Sequence, residues 1–153
     1  MSRQSVAYDA ILAALELEFP AADGWTRIPY PYDLLKNDDN FLRKGYGVKV
    51  GPANRVDLEW CNLAFTRTVS VVFSRESFNT GSNVTLGDDI AKDLLEDIYK
   101  VQDRFNQQDQ LLVEASIVKI DPTSSSGVES VDGEKVTFLS MEASFDFTIQ
   151  ESI

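Results

Sequence analysis

Between Lys135 and Glu151 the chain alternates with a period of two. The odd positions read Thr137, Leu139, Met141, Ala143, Phe145, Phe147 and Ile149, and the even ones from 140 read Ser140, Glu142, Ser144, Asp146, Thr148 and Gln150. Successive side chains of a strand point to opposite faces, so this pattern sends one apolar face to a core and leaves the other polar. The run exceeds the usual strand length, which predicts pairing with other strands along its whole length. No residue in it points to catalysis.

The chain before it supplies what this strand can pack against. Residues 4–18 place Ala7, Ile11, Ala14 and Leu15 at helical spacing, and Pro20 and Gly24 end that helix. Thr26 to Tyr32 contains Pro29 and Pro31, which predicts an extended edge segment rather than a central strand. Leu34 to Arg43 reads as a short helical turn or a loop around Asn37-Asp38-Asp39-Asn40. Gly45 to Pro52 reads as a glycine-punctuated strand ending in a turn at Gly51-Pro52. Phe65 to Arg75 is a strand whose preceding residues, Val56 to Leu63, start the same ribbon. It carries Phe65, Val69, Val71 and Phe73 on one face, with Arg67 out of pattern among them. A buried arginine is costly unless paired, so Arg67 is expected near the strand end or at a subunit contact.

Thr85-Leu86-Gly87-Asp88 has the spacing of a capping box, and the helix it opens carries Ile90, Leu94, Ile98, Val101 and Phe105 as one apolar stripe. Leu111 to Ile120 reads as a strand, with Leu111, Val113, Ala115 and Ile117 alternating. Asp121-Pro122-Thr123-Ser124-Ser125-Ser126-Gly127 then opens a long, mobile connection to the closing strand. These elements predict one α+β domain over residues 1–153. Its expected form is a mainly antiparallel sheet with two helices packed on one face, a long β-ribbon and a loop.

Composition narrows function by exclusion. With 14 basic and 25 acidic residues the net charge is −11, which opposes binding to duplex DNA or to an anionic membrane. No run approaches the roughly 20 apolar residues of a membrane helix, and no secretory apolar segment is recognisable near the N-terminus. The charge is uneven: residues 34–55 hold five basic residues and two acidic ones, and residues 121–153 hold seven acids and Lys135. Opposite charge on opposite parts of one domain suits head-to-tail packing of identical subunits, and it equally suits an unevenly charged solvated surface.

Histidine is absent and Cys61 is the single cysteine, which removes the usual triads, zinc and iron sites and any disulfide within the chain. A chain with one thiol fits a reducing cytosol. Cys61 has no histidine to activate it and reads as a small core residue. Ser116 and Lys119 have the spacing of a serine–lysine nucleophile, but on a strand that offset divides them between faces. Gly45, Gly47 and Gly51 miss the dinucleotide fingerprint by one residue, and the carboxylates Asp38 and Asp39 fit no calcium loop. No cofactor or metal is expected, nor an enzymatic role. The aromatic cluster Trp25, Tyr30, Tyr32, Phe41 and Tyr46, interleaved with Lys36, Arg43 and Lys44, reads either as an interface patch or as core.

In its order of elements the chain resembles the tail terminator proteins of long-tailed bacteriophages. The resemblance spans nearly the whole chain. It rests on the texture of Asp39-Asn40-Phe41-Leu42-Arg43-Lys44-Gly45-Tyr46-Gly47, the helix from Leu86 to Phe105 and the closing strand from Phe138 to Ile149. It implies a structural virion protein forming a hexameric ring, assembled in the host cytoplasm and placed at the tail–neck junction. Its implied partners are the tail tube protein, a neck or connector protein of the head, and genomic DNA that passes through the lumen without specific binding. Candidate contacts with neighbours or the tube are Lys36, Phe41, Arg43, Lys44, Tyr46 and Arg67, with Ser125, Glu129 and Asp132 from the 121–134 connection. The alternatives are another neck, head completion or tube-like protein and, from other classes, a small carboxylate enzyme or a host-directed adaptor.

Overall fold

The computed structural model describes residues 2–28, 44–58, 61–77, 84–106, 110–132 and 137–152. The first helix, α1 (Arg3–Glu18), begins where Ser2 Oγ accepts the Ser5 N–H at 3.2 Å. A second acceptor comes from the far end of the sequence: the Glu151 carboxylate takes the Gln4 N–H at 2.9 Å and the Arg3 N–H at 3.4 Å. Free N–H groups and the helix dipole both favour an anion at this end. Ala7, Ile11, Ala14 and Leu15 face the core, as their spacing predicts. A 3-10 turn over Ala21–Asp23 follows and is closed by Gly24 at φ 89°, a left-handed conformation that glycine adopts without strain.

The sheet is built from β1 (Thr26–Ile28), β2 (Lys44–Leu58), β3 (Cys61–Ser77), β4 (Ile117–Ser125), β5 (Glu129–Asp132) and β6 (Thr137–Ser152). Its order is β1-β2-β3-β6-β4, with β5 beside the other half of β6. All pairings are antiparallel except β1 with β2. The closing strand holds the centre: β6 pairs with β3 from Thr137↔Ser77 to Ser152↔Leu63. Met141, Ala143, Phe145, Phe147 and Ile149 are buried on the face carrying the helices.

Four expectations about element boundaries need correction. Gly51-Pro52 is not a turn, because β2 runs on to Leu58 and absorbs the pair as an irregularity between Val50 and Ala53. A Cβ at Gly51 would stand 3.1 Å from the Thr68 carbonyl oxygen, so close backbone approach calls for glycine there. Leu111 to Ile120 is not one strand: Gln110–Glu114 forms a short helix, Ser116 turns the chain at φ 68°, and β4 begins at Ile117. The connection after Asp121 is largely strand, with β4 and β5 lying end to end along β6. Ser126 bridges the gap, donating its N–H to the Glu142 carbonyl at 2.8 Å while its hydroxyl accepts the Glu142 N–H at 2.9 Å. Finally, α2 (Val84–Asn106) starts at Val84, which puts Thr85 inside the first turn rather than at a cap.

Among the described residues three helices, not two, lie over one face: α1, α2 and the short α3 (Gln110–Glu114), which contributes Leu112. The α2 stripe is buried as predicted, with Ile90, Leu94, Ile98, Val101 and Phe105 all in the interior. Phe105 meets Phe145 and Phe147 edge to face at 4.9 and 5.2 Å. A second aromatic group joins Phe19, Trp25, Tyr46 and Phe73 where α1 leads into β1. The opposite face is not uniformly wet, since Val72, Ser74, Phe138 and Ser140 are buried there.

Candidate interface

The helix-free face is a ladder of paired polar side chains. Thr66 and Thr148 hydroxyls meet at 3.1 Å, Thr68 donates to Asp146 at 2.8 Å, Ser70 and Ser144 meet at 2.8 Å, and Lys49 reaches Glu142 at 3.5 Å. The register places five carboxylates here, Glu76, Asp121, Glu129, Glu142 and Asp146, against Lys49 and Lys119 among the described residues. A face of small hydroxyls with carboxylates in excess over lysines carries a net negative charge.

The two margins of the sheet differ in charge. Arg27, Lys44, Lys49 and Arg55 stand on β1 and β2 with Asp57 as the single acid, whereas β4 and β5 carry Asp121, Glu129 and Asp132 with Lys119. Among the described residues β1 pairs with β2 over Gly45–Gly47, and Val50, Pro52, Asn54 and Arg55 beyond it are exposed. On β4, Val118, Lys119 and Asp121 to Ser125 are exposed, and β6 is its single partner strand among the described residues.

The sequence-predicted contacts fall in different settings. Lys36, Phe41 and Arg43, with Tyr30 and Tyr32, lie outside the described residues, as do Asp38 and Asp39. Tyr46, at 4% exposure, and Trp25 belong to the core, which decides the alternative for these two. Burial pushes the Tyr46 hydroxyl above its ordinary pKa. Lys44 donates to the Asp23 carbonyl at 2.8 Å and stands 5.0 Å from the Trp25 ring centre. Arg67 is at mid-strand, paired with Ala53 and Phe147, not near a strand end. Its guanidinium is satisfied inside the chain, donating to Gln4 Oε1 at 3.0 and 2.7 Å and to the Gly51 carbonyl at 2.8 Å. Ser125 is the exposed last residue of β4, while Glu129 and Asp132 open and close β5.

No pattern in the sequence marks the buried ion pair. Arg75, at the end of β3, clasps Asp97 of α2 with Nε to Oδ2 at 2.7 Å and Nη2 to Oδ1 at 2.8 Å, and its guanidinium carbon lies 5.0 Å from the Trp25 ring centre. Burial holds the Asp97 carboxyl above its ordinary pKa even against the hydrogen bonds from Arg75. Asp97 reads as one more polar residue of an amphipathic helix until the position of β3 is known.

A cavity of about 540 Å³ lies between α3 and β4, lined by Phe105, Leu112, Ser116, Ile117, Ile120 and Gln150 among others. Ser116 stands in the turn and Lys119 pairs with Asp121 at 3.3 Å, so the two do not form a nucleophile–base pair. No group of three metal-ligating side chains occurs among the described residues. None of the described helices is long and apolar enough to cross a membrane. No known family model matches the chain, and neither does any curated protein.

Proposed function

We propose that this chain is a structural subunit of a phage tail: one of the copies, six in a closed ring, that cap the tail tube and present the surface to which the filled head docks. The observation that carries the reading is the form of the sheet. Among the described residues three helices lie over one face, the other carries mainly hydroxyls and carboxylates, and the two margins bear opposite charge. Two different complementary surfaces on one subunit are what a ring requires. The resemblance in element order to tail terminators supplies the biological setting: the tail tube protein on one side, a neck protein on the other, and DNA passing between.

In that ring the helix-free face lines the lumen. Among the described residues its five carboxylates outnumber its two lysines, and that net negative charge repels the phosphates of passing DNA, so the genome moves without sticking. The role is non-enzymatic and the complex belongs at the tail–neck junction of the virion. Native mass across a concentration series tests the assembly. A discrete hexamer, alone or appearing as concentration rises, supports the ring, and a monomer at every concentration, with or without tail tubes, refutes it. A ring found on heads assembled without tails would reassign the chain to head completion.

A further inference from the structure

We propose that the cleft between the last turns of α1 and the start of the sheet at β1 and β2 binds a small zwitterion, an α-amino acid with an apolar side chain. The cleft measures about 240 Å³, and its lining includes Leu12, Glu16, Phe19, Trp25, Arg27 and Tyr46. Sites for drug-sized ligands run to roughly 300–1,000 Å³, so this one selects a compact molecule. Phe19, Trp25 and Tyr46 form an aromatic floor, their ring centres 4.9, 5.8 and 6.4 Å apart. Such a floor takes the apolar part of a ligand.

The polar groups single out a zwitterion. Glu16 on α1 and Arg27 on β1 are exposed, and among the described residues neither has a hydrogen-bond or ion-pair partner, each other included. An acid and a base held apart on one cleft match an ammonium and a carboxylate carried by one molecule. Arg27 and Tyr46 are register partners of β1 and β2, so their side chains share a face. Tyr46 is 4% exposed, and its hydroxyl has no hydrogen-bond partner among the described residues. A polar group this buried is normally satisfied, and a bound molecule supplies the missing partner. Burial acts most strongly on that hydroxyl's pKa, and the charges of Arg27 and Glu16 act on it too, which sets all three groups around one space. A ligand with a single charge leaves one of the two ionic groups unanswered. The site does not depend on the ring reading.

Trp25 reports on the cleft. With Trp60→Phe it is the single tryptophan, and its emission is titrated with L-phenylalanine, with phenethylamine, which lacks the carboxylate, and with 3-phenylpropionate, which lacks the ammonium. Calorimetry of the unsubstituted chain with the same probes gives a reading that the Trp60 change cannot disturb. The expected result is saturable binding, with L-phenylalanine at least about fivefold tighter than either analogue. Arg27→Met should remove the advantage over phenethylamine and keep the one over 3-phenylpropionate, and Glu16→Gln should do the reverse. Equal affinity for the three probes, preferences unmoved by both substitutions, or no saturable binding by either method overturns the proposal. N-acetyl-L-phenylalaninamide, a neutral mimic of a peptide segment, should bind weakly; affinity equal to that of L-phenylalanine overturns the proposal in favour of a peptide occupant.

Discussion

Replacing Arg75 by Met would strand the Asp97 carboxylate in the interior. The Asp97 side chain is 1% exposed, so water cannot take over from the two hydrogen bonds lost. Breaking a buried pair from one side costs about 3–5 kcal/mol, and protonation of the stranded carboxyl limits the loss, which points to about 3 kcal/mol at neutral pH. The reverse change, Asp97→Leu, is milder. Arg75 is 20% exposed, retains Asp93 at 3.9 Å and stays beside the Trp25 ring, so about 1–2 kcal/mol is expected. Removing both charges, as Arg75→Met with Asp97→Leu, should return stability to within about 1 kcal/mol of the parent. Urea unfolding of the four proteins closes the cycle, with an expected coupling of about 3 kcal/mol. A coupling below about 1 kcal/mol, or equal losses from the two single variants, would refute this account of the pair.

The remaining predictions concern pH, one helix end, one bulge and the core. Because the folded chain holds the Asp97 proton more readily than the unfolded chain, that group's contribution is complete below its ordinary 3.8 and is lost as pH rises through the folded value. Asp97→Asn should therefore gain stability relative to the parent as pH rises through that window, and a pH-independent difference would count against a raised value. Glu151→Gln should cost about 0.5–1.5 kcal/mol by weakening the anion at the start of α1, read as a lower thermal midpoint that high salt narrows. Gly51→Ala should cost about 1–3 kcal/mol as the Thr68 backbone yields to the new methyl group; no loss would mean that the bulge relaxes freely. Phe147→Ala, at the centre of the Phe105 cluster, should cost about 3–5 kcal/mol in the same assay.

Periodicity made the buried elements legible. β6, α1 and α2 each present one face to the core, and Met141, Ile11 and Leu94 announce those faces at strand or helix spacing. What stayed hidden has physical reasons. β4 is exposed over almost all its length, so no alternation marks it, and Asp121-Pro122 with three serines has the composition of a loop. An edge strand tolerates Pro122 because its outer side needs no donor within the chain. Leu111, Val113 and Ala115 alternate like a strand, yet the buried positions are Leu112 and Ala115, three apart as on a helix. Arg67 looked anomalous because its partner Gln4 is 63 residues away. The opposed margins of the sheet follow from strand order, which no local pattern encodes.

The most direct test of the central claim is imaging of isolated tail tubes mixed with the purified chain. The account predicts a ring of added density at one end of each tube, absent when the chain is omitted. Bare tube ends at saturating protein, or binding along the tube walls without end-capping, would contradict it.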